Sequence, residues 1–337
     1  MAIKLGIAVL PKLPFVDFIR LGQECEKSDL SLWVPDERFF RDVFVSLAAL
    51  ATSTSKAILG SGVTDPFIRH PLLTAAAMAS LDELSGGRAI LGIGAGVSGF
   101  DALGIKRHAP ATALRQTIDL CRRFWAGEAI TQLEGPVYAK VAQLNFTAPR
   151  QIPVYIAGRG PKVLALGGEV AEGVIIGHFT SERGIGSAQD QIGAGIKKRS
   201  PDRGRPEIAV WAYTSVARDG DAARAAVKPA IGRTIRSTPE ALEILGESAP
   251  RLLEELERFG YSRSPDYDQA MRDTVSDSLA GQLSISGTPQ ECIDRIRTIH
   301  ACGIDHVILL PYPAAGMSIP EMTALFCSEV LPSVRNI

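Results

Sequence analysis

What the 337-residue chain lacks narrows its class. There is almost no surplus of charge: 36 lysines and arginines stand against 37 aspartates and glutamates, a net of −1. Such a surface gathers no polyanion, so neither nucleic acid nor an anionic membrane is an expected partner. Cysteine is sparse, and the five thiols, Cys25, Cys121, Cys292, Cys302 and Cys327, form an odd, widely spaced set without a Cys-x-x-Cys pair. They read as buried thiols in a reducing compartment, not as a disulfide frame or a zinc site. His108, His300 and His306 have no partners at ligand spacing, so no metal is assigned. Long apolar runs are missing too: none approaches the roughly 20 residues that span a bilayer. Met1-Ala2-Ile3-Lys4 leads into a strand without the charged and apolar regions of a signal peptide, so a cytoplasmic protein is expected. Ser61, Ser98 and Ser215 lack the strand-turn-helix setting of an activated serine, which disfavours covalent hydrolysis.

What is present is an alternation of short apolar strands and amphipathic helices in a chain that is 46% hydrophobic. Lys4 to Leu10 reads as a strand, followed by a helix from about Pro14 to Lys27 with Phe18, Leu21 and Cys25 on one face. Ser31 to Glu37 is a second short strand ending in an acidic pair, and Val43 to Ala51 is its covering helix. Ala57 to Val63 is a third. The helix after it carries Leu73, Ala77, Ser80 and Leu84 at helical spacing as its apolar face, with Gly86-Gly87 as a left-handed cap. Ala89 to Gly96 is the fourth strand and Thr112 to Trp125 its helix, with Leu114, Ile118, Cys121 and Trp125 sharing a face.

Residues 127–150 break the rhythm as a β-hairpin around Glu134-Gly135-Pro136. Pro153 to Ala157, Gly173 to Gly177, Glu207 to Val216 and His306 to Pro311 resume the strands, while residues 219–286 are an Ala-rich, charged and helical insertion. Thr288 before Pro289 marks a helix start. Eight strands, each followed by a helix, predict an α/β fold, a (β/α)8 TIM barrel with insertions, forming one domain over residues 1–337. A doubly wound open sheet is the alternative, but the first strand ends in Leu10-Pro11 without that fold's glycine-rich turn.

A barrel places its chemistry at the C-terminal strand ends. Those ends carry Asp36 and Glu37; Gly62, Val63, Thr64 and Asp65; Gly94, Ala95 and Gly96; Gly158, Arg159 and Gly160; Gly177 and His178. So many glycines leave a flat floor on which a planar, flavin-like ring can lie, although each taken singly is equally an ordinary turn. Gly158-Arg159-Gly160-Pro161-Lys162 opens a helix with bare N–H groups beside two cations, an arrangement suited to a phosphate. Asp36 and Glu37 are the adjacent acids available for proton transfer, against a solvated rim as the plain alternative. Asp65, before Pro66, reads as a turn former, and His70, before Pro71, as a helix cap.

The stretches Gly62-Val-Thr-Asp-Pro-Phe-Ile-Arg-His-Pro71, Leu81-Asp-Glu-Leu-Ser-Gly-Gly-Arg88 with Leu91-Gly-Ile-Gly-Ala-Gly96, and Gly160-Pro-Lys-Val-Leu-Ala-Leu166 with Gly173-Val-Ile-Ile176 resemble the bacterial-luciferase-like oxidoreductases. Within them they resemble the coenzyme F420-dependent branch typified by methylenetetrahydromethanopterin reductase. The likeness runs from Lys4 to Gly177 and over the last strand and helix, with little in residues 219–286. It implies a homodimeric barrel that moves a hydride between F420 and a small organic substrate. FMN-dependent monooxygenation and non-catalytic flavin binding are the alternatives. It implies Asp36 and Glu37 as catalytic, and cofactor contacts from Asp36, Gly62, Val63, Thr64, Gly94, Ala95, Gly96, Ala157, Gly158, Arg159, Gly160, Lys162, Gly177 and His178. It further implies a cis peptide bond between Gly62 and Val63. Ala8 stands where that reductase has a glutamate and Val97 where it has an aspartate. Asp36-Glu37 stands where related sugar-phosphate dehydrogenases pair an aspartate with a histidine.

Overall fold

The computed structural model describes residues 2–96, 100–260 and 262–337. Its strands in chain order are β1 (Lys4–Ala8), β2 (Ser31–Val34), β3 (Leu59–Ser61), β4 (Ala89–Gly94), β5 (Ile130–Gln132), β6 (Ala139–Ala142), β7 (Val154–Gly158), β8 (Gly173–Gly177), β9 (Glu207–Val216), β10 (Ser284–Gly287) and β11 (His306–Pro311). β5 and β6 pair antiparallel as the expected hairpin. The others form one sheet in the order β10-β9-β11-β1-β2-β3-β4-β7-β8, and a β9–β8 pairing returns it on itself. With β10 set aside, the ring is the eight-stranded barrel predicted from the strand rhythm. Helices α1 (Phe15–Lys27), α2 (Val43–Ser53), α3 (Pro71–Ser85), α4 (Pro110–Trp125), α5 (Pro161–Val170) and α6 (Glu182–Ile196) alternate with the strands up to β9. α7 (Gly220–Ser237), α8 (Glu240–Leu245), α9 (Pro250–Phe259), α10 (Pro265–Thr274) and α11 (Asp277–Leu283) fill the insertion, and α12 (Pro289–Ala301) follows β10. No described helix is long and apolar enough to cross a membrane.

Two compact units divide the chain, one of Gly6–Ile175 with Gln191–Glu207, the other of Met1–Leu5 with Ile176–Asp190 and Ile208–Ile337. In the first, parallel registers such as Ala8↔Trp33, Trp33↔Gly60 and Gly92↔Tyr155 carry β1 through β7. Trp33, fully buried, explains one glycine: a Cβ on Gly60 would lie 2.4 Å from its ring. Gly92 is tighter still, since a Cβ there would meet the Ser61 carbonyl oxygen at 1.9 Å. The α3 helix and its left-handed Gly86 cap are as predicted, but its face is not. The core takes Leu72, Ala75, Met78, Ala79 and Asp82, while Leu73 and Leu84 stand 61% and 51% exposed. The misassignment arose because α3 carries two apolar stripes and the buried one includes an aspartate. Asp82 is neutralised there by Arg150, at 2.9 Å, and also accepts from the Ala89 N–H.

Arg88, the last residue of the Leu81–Arg88 stretch, is a backbone clamp. Nε donates to the Ser85 carbonyl at 2.7 Å, Nη1 to Thr54 Oγ1 at 3.0 Å and the Ala57 carbonyl at 2.8 Å, and Nη2 to the Ala51 and Thr54 carbonyls at 2.9 and 3.1 Å. Carbonyls at the end of α2, which have no helical partner, are thereby satisfied. Glu26 does the converse, accepting the N–H groups of Ser55, Lys56 and Ala57 at 2.7–2.9 Å.

In the second unit β9 pairs with β11, for example Leu310↔Tyr213, and with β10, Ser284↔Tyr213. The insertion, expected to be helical throughout, therefore ends in a strand. Its helices pack closely: a Cβ on Gly232 of α7 would lie 2.3 Å from Met271 Sδ and 2.8 Å from the Tyr267 hydroxyl of α10. Thr288 caps α12 in a full capping box with Glu291, as the Thr-Pro start foretold. Of the five cysteines, Cys25, Cys121 and Cys292 are buried as expected, whereas Cys302 and Cys327 are half-buried.

Candidate active site

Three loops that follow β2, β3 and β4 meet in the first unit. Asp36 lies two residues past β2, half-buried, and its Oδ2 accepts the Thr64 hydroxyl proton at 2.7 Å. Thr64 follows a cis peptide bond between Gly62 and Val63, as the resemblance implied. Burial pushes the Asp36 carboxyl above its ordinary pKa; the Thr64 hydrogen bond and the Arg38 charge oppose this, and the charges of Asp65 and Asp42 add to it. Oδ1 of Asp36 takes no hydrogen bond from a described residue.

Arg38, which sequence reasoning passed over, ties these loops together. Nη1 donates to the Asp36 main-chain carbonyl at 2.7 Å, and Nη2 is paired with Asp65 Oδ2. Both side chains are interior, 9% and 1% exposed. Asp65 is also the turn former expected of it, accepting the Phe67 and Ile68 N–H groups at 2.7 and 3.1 Å. The guanidinium lies over the ring of Phe100, 5.0 Å from its centroid. Arg107 sits 5.1 Å from the same centroid and donates to the Gly96 carbonyl. Asp36 and its partner Thr64 lie 28 residues apart, and Arg38 and Asp65 lie 27 apart, so only the fold reveals the cluster. Glu37 is half-buried beside Asp36. His70 caps α3, its Nδ1 accepting the Leu72 N–H at 3.2 Å. Ala8 is fully buried in β1, and Val97 lies outside the described residues.

The glycine floor is partly packing. Gly158 is needed within the protein, because a Cβ would come 2.7 Å from Val163. Gly94 lies beside Val63 and Ala157: a Cβ would meet Val63 Cγ2 at 2.9 Å and the Ala157 carbonyl at 3.1 Å. Val63, Gly94 and Ala157 thus make a low surface across the ends of β3, β4 and β7, continued by Ala95 and by Gly96 at positive φ. Gly160 differs from all these, since a Cβ there would meet nothing within 4 Å. It precedes α5, whose Pro161 is the first helical residue and whose start has no side-chain cap. Arg159 is half-buried and Lys162 exposed at this start. A low floor and an uncapped helix start on one unit fit a planar ring carrying a phosphate arm.

In the second unit, Gly177 ends β8 and His178 follows with φ 68°, its N–H donating to the Trp211 carbonyl at 2.8 Å. Its imidazole stacks on Tyr213 at 3.9 Å between centroids and 9° between planes. Tyr312 meets Tyr213 edge-on at 5.3 Å. The Tyr213 hydroxyl shares a 2.9 Å hydrogen bond with Thr234 of α7, both residues being buried.

This fold matches known proteins. The luciferase-like monooxygenase family model matches residues 14–306, and the chain belongs to that family of oxidoreductase enzymes. It is 32% identical to the 5,10-methylenetetrahydromethanopterin reductase of Methanolobus tindarius, over 90% of this chain and 92% of that protein. The reductase of the same name from Archaeoglobus fulgidus is also 32% identical, over 98% of this chain and 100% of its own. The solved coenzyme F420-dependent tetrahydromethanopterin reductase of Methanopyrus kandleri superimposes with a TM-score of 0.87 at 26% identity, covering 99% of this chain and 100% of that one.

Proposed function

We propose that the chain transfers a hydride between coenzyme F420 and a small organic substrate, with Asp36 handling the proton. The observation that carries this is the Asp36 carboxyl: one oxygen is anchored by Thr64, the other takes no hydrogen bond from a described residue, and burial favours its protonated form. The coenzyme F420 dependence named for the similar Methanopyrus kandleri reductase supports F420 over FMN. When bound, the deazaflavin carries the hydride and does not activate oxygen. Val63, Gly94 and Ala157 would hold its ring, and the Arg159-Gly160-Pro161-Lys162 turn would hold its phosphate through the first N–H groups of α5. Ala8 supplies no acid at the end of β1, which leaves Asp36 and Glu37 for that task. Glu37 then orients the substrate.

Fluorescence-quenching titrations of the purified chain with F420 and with FMN test the cofactor. Tight binding of F420 alone supports hydride transfer; binding of FMN alone transfers the chain to the oxygenases. Turnover of reduced F420 with methylenetetrahydromethanopterin, and its loss in Asp36→Asn, tests the acid. Binding without turnover of any donor or acceptor leaves a flavin carrier. The homodimer implied by the resemblance is likewise a proposal, supported by the exposed apolar side chains Leu73 and Leu84 on α3.

A further inference from the structure

Arg38 is not one of the strand-end residues whose type suggests chemistry, yet its side chain bridges three loops of the site. It reaches the loop after β2 through the Asp36 carbonyl, the loop after β3 through Asp65, and the loop after β4 through the face of Phe100. Phe100 also carries Arg107, 5.1 Å from its centroid, and meets Phe67 edge-on at 6.0 Å. Only an arginine fits these demands together: two forked donors for two acceptors and a flat cation for a ring. Its Nε is buried without a hydrogen-bond partner among the described residues, while Asp36, Asp65 and Phe100 engage the rest of the guanidinium.

We propose that Arg38 is the positioning residue of this site, fixing the Asp36 carboxyl relative to the floor at β3 and β4. The inference rests on the reading of Asp36 given above and names the group that governs it. Removing Arg38 frees the β2 loop from the β3 turn, and it leaves the Asp65 charge uncompensated near Asp36. The charged groups acting on Asp36 are Arg38, Asp65 and Asp42. With Arg38 gone the remaining two are both acidic, so the proton is held more firmly.

The test uses the full chain with 13C-labelled aspartate side chains, the Asp36 signal being assigned by its loss in Asp36→Asn. In Arg38→Met the Asp36 titration midpoint is expected to rise by about one pH unit or more. F420 affinity, read by fluorescence quenching, is expected to stay within threefold, while kcat with reduced F420 and methylenetetrahydromethanopterin falls about tenfold or more. Arg38→Lys, which keeps a charge and loses the fork, should restore the midpoint but not kcat. An unchanged Asp36 midpoint in Arg38→Met overturns the proposal. Should that variant fail to fold, Arg38→Lys decides: wild-type kcat in it overturns the proposal. Full turnover in Asp36→Asn would instead remove the proton-transfer reading while leaving the midpoint measurement to judge Arg38 by itself.

Discussion

Arg88 allows a sharp test of what the sequence stretch Leu81–Arg88 does. Its guanidinium satisfies four carbonyls and one hydroxyl at the end of α2 and the entrance to β4. A hydrogen bond to a charged group contributes about 1.5–3 kcal/mol. The five acceptors share one cation, and the half-buried site lets water reach some of them. Arg88→Leu is therefore expected to cost about 3–4 kcal/mol, well below five independent bonds. At about 2 °C per kcal/mol in a chain this long, Tm falls by about 6–8 °C. Arg88→Lys keeps one or two of the contacts and should recover about half of the loss. The assay is thermal unfolding followed by circular dichroism, together with F420 affinity at a temperature where both proteins are folded. Because Arg88 enters β4 at its N-terminal end, affinity should be unaltered. A Tm within about 1 °C of wild type, or lost affinity in a folded variant, would show that the stretch is not the scaffold device described.

Gly92→Ala should be worse than Arg88→Leu, because the obstacle at 1.9 Å is the Ser61 backbone; soluble protein with wild-type Tm would contradict that. Gly160→Ala, with nothing within 4 Å, should leave Tm unchanged and weaken F420 binding by crowding the cradle; equal affinity would remove Gly160 from the phosphate site. For Glu26, burial raises the carboxyl but three backbone N–H groups outweigh it, so the folded pKa lies below the ordinary 4.5. Its contribution is complete above that value and is lost as pH falls through the folded pKa, so the Tm deficit of Glu26→Gln at pH 7 should shrink on acidification; a constant deficit would refute this. Leu73→Lys with Leu84→Lys should convert a dimer to monomer by light scattering, and an unchanged mass would place the interface elsewhere.

Much of the architecture was legible because its signals are local. Strand spacing, the Gly86 cap and the Thr288-Pro289 start depend on neighbours within a few residues, and all three recur in the structure. The face of α3 was not legible, since a buried aspartate is interpretable only with Arg150, which lies 68 residues away. β10 escaped notice because a four-residue strand after helices carries too few residues to show alternation. At the site, Asp36 stood out by type and position, whereas Arg38 looked like one more charge on a rim. Nothing near it in sequence announces Asp65 or Phe100. The glycines show the opposite limit: Gly158 read as part of a cofactor floor but is required by Val163, just as Gly60 and Gly92 within the strands are required by Trp33 and Ser61.

The hydrogen bond between Tyr213 and Thr234 bears on how such chains diversify. Thr234 comes from the insertion, yet it holds a ring on β9 that in turn stacks with His178. Strand and insertion are therefore physically coupled. A chimera that exchanges residues 219–286 but keeps β9 withdraws Thr234 from the phenol it was built against. Such an exchange alters the end of β9 without touching a single barrel strand.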